Sequence, residues 1–329
     1  MAALTLAGPV ARWRASPWLR FAVRRLVRLV VSVFLLITAA FAMIHAIPGD
    51  PVRGALGIKA PQSLVTAKRH ALGLDKPLWR QYVDFLHGVI TGHLGVSMRS
   101  ELPVTQLIGQ RLPATAEIAV LAFVLVLVIG VPAGVLIGVL TREGRRPRTE
   151  LGFGAVTGLF AVVPEFLLAV ALVFVFAVTL KAFPVAGRGG PDSYLLPVLS
   201  LAVGPAAIIA RTVRAETLRV LDQEYMRTAR AKRLPARLLY VRHALPNLLA
   251  ATLTLSGLAL SGLLAGTVLV ENVFAWPGLG TALEESVPAK DYPVVQALAL
   301  VYGGGVLLTN LVVDVLIAVA DPRSTLRET

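Results

Sequence analysis

The chain has 329 residues, of which 56% are hydrophobic and 16% are charged, and its mean hydropathy is +0.74. Soluble globular chains carry about 25% charged and about 45–50% apolar residues, so this composition excludes a disordered chain and a coiled coil and argues against a water-soluble enzyme. The 32 Lys and Arg against 19 Asp and Glu give a net charge of +13, and the absence of cysteine excludes disulfides and thiolate chemistry. The sequence therefore indicates an integral membrane protein.

Six stretches of the chain are apolar enough, and long enough, to cross a membrane as helices. A bilayer core about 30 Å thick takes roughly 20 helical residues. The six stretches are 26–47, 114–140, 151–180, 195–210, 248–270 and 294–320. Pro132, Pro164 and Pro205 fall inside three of them and predict kinks, because proline removes an amide donor and crowds the preceding helical turn. The predicted fold is an all-α polytopic membrane protein with six transmembrane helices.

The segments outside these spans are too short to fold as separate soluble domains. The longest, residues 48–113, is expected to be external and to hold short amphipathic helices, one of them over 78–89, where apolar residues recur at helical spacing. A five-helix core is expected over 114–320. Tails are expected at 1–25 and 321–329.

Basic residues fall mainly on one side of the predicted spans. Of the 32 Lys and Arg residues, 21 lie in or beside the N-terminal tail, the 141–149 and 211–247 loops and the C-terminal tail. Loops rich in Lys and Arg remain in the cytoplasm, so both termini are predicted to be cytoplasmic, in a bacterial inner membrane. Membrane orientation accounts for the positive charge, and no nucleic-acid partner is expected.

Sequence patterns for nucleotide, metal or hydrolytic sites are missing from the chain. There is no G-x-x-x-x-G-K-[ST] loop to hold ATP phosphates and no H-E-x-x-H pair, and the five histidines are scattered. We therefore expect no catalytic residues, no metal site and no cofactor in this chain, which by itself is not an enzyme.

The predicted cytoplasmic loop 211–247 carries the most informative pattern. EYMRTARAKRL at 224–234 is followed by HALPN at 243–247. From its composition alone, this segment could equally be a basic loop whose only role is to fix the orientation of the protein in the membrane. The pattern, however, resembles the cytoplasmic EAA loop of permease subunits in ABC importers, with the usual core E/D-Y-x-R-T-A-R-A-K-G-L followed by H-A-L-x-N. Arg233 stands where that family has Gly, and a left-handed turn residue other than Gly costs about 1 kcal/mol.

Further blocks extend the resemblance over nearly the whole chain after its first 20 residues. They resemble the dipeptide/oligopeptide branch of the binding-protein-dependent permeases and occur in the same order. The blocks are IPGDP at 47–51, LGLDKPLWRQYVDFLHGVITGHLGVS at 72–97, LPVTQLIGQRLPAT at 102–115, ENVFAWPGLG at 271–280, DYPVVQ at 291–296 and NLVVDVLIAVADPR at 310–323.

This resemblance implies the fold, the partners and the cargo of a type I ABC importer permease. A second homologous permease subunit would pair with this chain, and two ATP-binding subunits or domains would bind ATP and Mg²⁺ beneath them. An extracytoplasmic solute-binding protein would deliver a short peptide; a nickel complex, glutathione, an oligosaccharide or a porphyrin-like ligand is the alternative cargo. A different class, a membrane enzyme or ion-coupled transporter working alone, predicts activity without ATPases.

The resemblance also implies a set of residues that couples the permease to the ATPase. A short helix with small Ala229 and Ala231 would enter a groove of the ATPase, and basic side chains would pair with acids at its rim. The implied coupling residues are Glu224, Tyr225, Arg227, Thr228, Ala229, Arg230, Ala231, Lys232, Arg233 and Leu234.

Ionisable residues within the spans are the remaining candidates, because charges in a membrane are costly and usually functional. Glu165 follows Pro164 in the third span and is expected either to line the translocation pathway or to pair with a neighbouring span. Asp314 in the sixth span has the same two interpretations, with a contact inside the helix bundle favoured.

Two further groups of residues have both a functional and a structural interpretation. An external gate or a binding-protein contact competes with a structural turn at Glu271, Phe274, Trp276, Pro277 and Gly278. A second group, Gly130, Gly134 and Gly138, has the small-xxx-small spacing of close helix packing, and packing within the subunit is favoured over contact with a partner.

Overall fold

A computed structural model describes residues 17–46, 51–57, 60–71, 73–233, 235, 238–239 and 245–320. These residues are mainly helical and carry one isolated β-bridge, between Val96 and Pro103. In chain order the helices are α1 (Pro17–Ala46), α2 (Pro51–Leu56), α3 (Gln62–Ala71), α4 (Leu78–Thr91), α5 (Val104–Leu140), α6 (Pro147–Val162), α7 (Glu165–Leu172), α8 (Leu195–Leu221), α9 (Glu224–Ala231), α10 (Leu245–Val273), α11 (Leu279–Ser286) and α12 (Tyr292–Ala320).

Five of these helices are long and apolar enough to cross a membrane, and a bent pair supplies a sixth span. The five are α1, α5, α8, α10 and α12. The bent pair is α6 and α7, the latter prolonged by a π-helical turn over Val173–Thr179. The prediction of an all-α fold with several apolar spans is confirmed, with five single-helix spans and a sixth where the bent pair counts as one span.

The third span is broken rather than kinked, which the sequence did not predict. Helices α6 and α7 meet at 98°, because Val163 and Pro164 between them are extended, with ψ angles of 121° and 140°. Proline disfavours helical geometry in the residue before it. Pro132 and Pro205, in contrast, lie inside continuous helices.

Several helices extend beyond the predicted apolar limits. α1 begins at Pro17 instead of residue 26, and α5 begins at Val104, inside the segment predicted to be external. α8 continues to Leu221, so the start of the predicted loop 211–247 prolongs a span. Arg, Leu, Gln and Glu are good helix formers, so these helices continue beyond the ends that hydropathy alone predicts.

The three glycines of α5 bring its backbone against α8. A Cβ built on Gly134 would lie 2.6 Å from the carbonyl oxygen of Ala210, and one on Gly130 would lie 3.0 Å from that of Ala206. A Cβ built on Gly138 would lie 2.8 Å from the side-chain Cβ of Thr217 and 3.2 Å from the carbonyl oxygen of Arg214. The prediction that this spacing packs helices within the subunit is confirmed.

Candidate functional site

Helix α9 is held against the end of α8 by its apolar face. Met226 and Ala229 are buried, and they pack with Val220, Leu221 and Leu248. Gln223, in extended conformation, separates α9 from α8. The buried face packs the helix on the bundle, so α9 is a docked helix rather than an irregular loop.

The opposite face of α9 is polar and exposed. Side chains that reach solvent are Glu224, Tyr225, Arg227, Thr228, Ala231, Lys232 and Arg233. Tyr225 is 41% exposed, and partial burial together with the charge of Glu216 raises the pKa of its hydroxyl. Arg227 and Lys232 form no ion pair with other residues in the described part of the chain. This surface is available to a partner protein.

Arg230 and Arg227 belong to the same motif but differ in their contacts. Its Nη2 donates a hydrogen bond to the carbonyl oxygen of Leu221, and its Nε donates to that of Met226 at 3.2 Å. Arg230 therefore ties α9 to the end of α8, whereas Arg227 is exposed.

Ala229 corrects the expectation that two alanines enter a groove of the ATPase. Its exposed fraction is 6%, because the residue packs inside this subunit, whereas Ala231 is exposed. Leu234 and His243, also part of the predicted motif, lie outside the described residues.

Arg233 adopts the left-handed conformation expected at the position where the resembled family has Gly. Its φ is +53°, and its amide donates to the carbonyl oxygen of Arg230 at 2.8 Å. The amide of Lys232 donates to Thr228 at 3.1 Å, which closes the last turn of the helix. α9 thus ends in a turn that favours glycine.

Glu165 stands at the break of the third span, as the first residue of α7. Its carboxylate lies against α10 at Gly266, where a built Cβ would be 1.9 Å from Oε2. No cation in the described residues pairs with this carboxylate. The glycine therefore makes room for a half-buried carboxylate between two spans.

Asp314 is paired within the helix bundle. Its carboxylate forms an ion pair with Arg25 of α1, and both side chains are partly buried, at 26% and 30% exposure. This contact is of the kind favoured for Asp314 from the sequence.

Residues 271–280 form a largely buried junction, which supports the structural-turn interpretation over a binding-protein contact. Glu271, Phe274 and Trp276 are at most 1% exposed, and of the five predicted residues only Pro277 is exposed. The indole nitrogen of Trp276 donates to the carbonyl oxygen of Ala114 at 2.9 Å. Because these side chains are enclosed by α5, α10 and α11, they join helices instead of offering a surface to a binding protein.

An acidic residue that the sequence did not single out organises the segment before α5. Asp291 is buried and accepts hydrogen bonds from the Ser97 hydroxyl at 2.5 Å and from the Met98 amide at 3.0 Å. The sequence separation of 194 residues between Ser97 and Asp291 leaves no local pattern that could reveal the pair.

Comparison with known proteins identifies the family. The family model described as "Binding-protein-dependent transport system inner membrane component" matches residues 130–326, and the model of its N-terminal region matches residues 18–119. The chain belongs to this family. It is a permease subunit of an ABC-type importer, a multi-pass protein of the inner membrane, and its relatives are transport components rather than enzymes.

Two curated relatives match almost from end to end. The chain is 38% identical over 304 residues to the glutathione transport system permease protein GsiC of Pectobacterium atrosepticum, and 36% identical over 304 residues to that of Escherichia coli K12. Each match covers 92% of this chain and 98% of the relative.

A solved structure shares the fold of this permease. An inward-facing structure of the MetNI methionine ABC transporter has a TM-score of 0.57 and 20% sequence identity, and the match covers 67% of this chain and 98% of that one. The described helices therefore have the architecture of a type I ABC importer permease.

Proposed function

We propose that α9 transmits the work of separate ATPase subunits to the membrane spans of this permease. The observation that carries the proposal is the division of α9 into a buried face, fixed on α8, and an exposed face bearing Arg227 and Lys232. A helix anchored in this way moves together with the span that it follows, so a force applied to its exposed face acts on the bundle.

The proposed assembly contains a second homologous permease and two ATP-binding subunits or domains, which bind ATP and Mg²⁺. An extracytoplasmic solute-binding protein delivers the cargo. Both termini and α9 are placed in the cytoplasm, as the distribution of Lys and Arg favours. Solute then passes by alternating access along the interface of the two permeases.

The proposed cargo is a short peptide, with glutathione as the first compound to test. The sequence motifs favour peptides, and the two curated relatives are named as permeases of glutathione transport systems. Glutathione belongs to the alternative cargoes named from the sequence, so these relatives favour that alternative over other short peptides. Nickel complexes, oligosaccharides and porphyrin-like ligands are the remaining alternatives.

The coupling proposal is tested by reversing one exposed charge on α9. Arg227→Glu in the assembled transporter should reduce ATP-driven uptake into proteoliposomes about tenfold or more, because a charge pair at the ATPase contact becomes a repulsion. Arg148→Glu is the matched control, since Arg148 is exposed in α6 on the same side of the membrane. Equal uptake by both variants, with normal ATPase copurification, would contradict the role of α9.

The cargo proposal is tested with the reconstituted complex and its binding protein. Uptake is compared with and without ATP for five labelled compounds: glutathione, a dipeptide, a Ni²⁺ complex, an oligosaccharide and a haem-type ligand. ATP-dependent uptake of the dipeptide is expected if the cargo is a general short peptide. Uptake of glutathione or another ligand without uptake of the dipeptide would establish the alternative and overturn the peptide assignment, and uptake without the ATPases would overturn the coupling.

A further inference from the structure

A cleft of about 550 Å³ opens between α6 and α8, away from the residues that the proposed function uses. We call it the α6–α8 cleft. Its walls include Glu150, Phe153 and Gly154 of α6 and Ile208, Arg211 and Arg214 of α8. The backbones of the two helices come close at Gly204 and Phe160, where a Cβ on the glycine would be 3.4 Å from the carbonyl oxygen. The cleft is therefore a wedge that is closed on the side of the membrane centre.

The position of the cleft along α8 places it at the edge of the membrane. Residues Leu195–Ala210 of α8 carry no charge, and 16 helical residues span about 24 Å. Arg211 is the first charged residue of the helix after this run, and Glu150 lies in the first turn of α6. In the orientation proposed above, both residues lie at the boundary between the bilayer core and the cytoplasm.

The two arginines of the cleft differ in their contacts. Arg214 is held in place, since its Nη2 donates to Glu150 Oε1 at 2.6 Å and its Nε donates to Thr141 Oγ1 at 3.2 Å. Arg211 is exposed and has no hydrogen-bond or ion-pair partner in the described part of the chain. The cleft thus carries one cation more than its single carboxylate neutralises.

An apolar surface adjoins this uncompensated charge. Ile208, one turn from Arg211 toward the membrane centre, is 50% exposed. Gly154 and Gly158, one turn apart on α6, leave open space, because no atom would lie within 4 Å of a Cβ built on either. A guanidinium at the depth of the head groups beside an open apolar groove suits an anionic amphiphile better than a free anion.

We propose that the α6–α8 cleft binds an anionic phospholipid of the cytoplasmic leaflet. Arg211 pairs with the lipid phosphate, Arg214 adds a fixed second positive charge, and an acyl chain lies over Ile208 and the glycines of α6. The proposal depends on the orientation of the chain but not on the cargo or on coupling. Lipid binding can therefore fail while transport stands, and transport can fail while lipid binding stands.

The experiment measures lipid retention by the intact transporter complex in detergent, without ATP or cargo. Native mass spectrometry follows bound phosphatidylglycerol, with phosphatidylcholine as the neutral comparison. Wild type should retain phosphatidylglycerol preferentially, and Arg211→Gln should lower its retention about fivefold, since one cation near the membrane surface contributes roughly that factor. Arg148→Gln, with the same change of charge at an exposed position of α6, should retain the lipid as wild type does.

A second variant tests the shape of the cleft without changing its charge. Gly154→Leu fills the open space on α6 and should also reduce phosphatidylglycerol retention. The proposal is overturned if Arg211→Gln and Gly154→Leu both retain the lipid at the wild-type level. It is equally overturned if inorganic phosphate at the same concentration displaces the lipid completely, because the cleft would then be a site for free anions.

Discussion

The carboxylate of Glu271 accepts a hydrogen bond of 2.7 Å from the backbone amide of Gly280, so the last turn of α10 is tied to the first turn of α11. The Leu279 amide next to it donates to Thr115 Oγ1 of α5 at 2.8 Å. Three helices therefore meet at one buried carboxylate, whose exposed fraction is 0%. The close approach of the Gly280 backbone to Glu271 is possible because glycine has no side chain.

Replacing Gly280 with alanine should destabilise this junction. The added Cβ would lie 2.5 Å from the Cα of Val268 and 2.9 Å from Glu271 Oε2, and such overpacking costs about 1–3 kcal/mol. We expect a lower midpoint of thermal aggregation for Gly280→Ala in detergent. Gly262→Ala is the control, because Gly262 is exposed in α10 and has open space around it. Equal midpoints for the two variants would show that the junction does not limit stability.

Gly134→Ala should separate α5 from α8 and destabilise the subunit. The new methyl group would lie 2.6 Å from the Ala210 carbonyl oxygen and 2.7 Å from the Val213 Cβ, so one of the helices must shift, at a cost of about 1–3 kcal/mol. The same substitution at Gly109 of α5, which is exposed in open space, should instead stabilise by up to about 1 kcal/mol. The apparent melting temperatures of the two purified variants are compared with that of the wild type. A shift of both in the same direction would contradict this packing.

The Arg25–Asp314 pair predicts a specific pattern in a mutant cycle. Asp314→Ala and Arg25→Ala should each lower the thermal midpoint by a similar amount, about 1 kcal/mol for a partly exposed pair. The exchanged double variant, Arg25→Asp with Asp314→Arg, should recover part of the loss. If Asp314→Ala instead changes uptake of different cargoes while Arg25→Ala does not, Asp314 acts in the translocation pathway.

Replacing Arg233 with glycine should stabilise the end of α9. The residue has a φ of +53°, and removal of its side chain relieves about 1 kcal/mol of backbone strain. Native-state hydrogen exchange of the α9 amides in the assembled transporter should slow. Arg145→Gly, at an exposed residue with ordinary backbone geometry, should not have this effect. Lost transport with unchanged exchange would instead assign the Arg233 side chain to a partner contact.

The sequence predicted the spans well because they depend on a local property, the run of apolar residues. For Glu271 and Trp276 it left two interpretations open, a structural turn and an external gate or binding-protein contact. Their burial depends on partners in α5 that are distant along the chain. The burial of Asp291 was not predicted for the same reason, because its partner Ser97 is distant along the chain. Within α9 the motif predicted the helix and its left-handed end, whereas the difference between Arg227 and Arg230 required the position of the Leu221 carbonyl group.

The elbow at Val163–Pro164 constrains what surrounds this subunit. α6 has 16 residues and covers about 24 Å, which is less than the thickness of the hydrocarbon layer, so the elbow lies at membrane depth. Pro164 is exposed there, and Val162 is 80% exposed. Backbone outside a helix is not stable against lipid tails, because its amide and carbonyl groups need hydrogen-bonding partners. Water or another polypeptide must therefore reach this elbow inside the hydrocarbon layer.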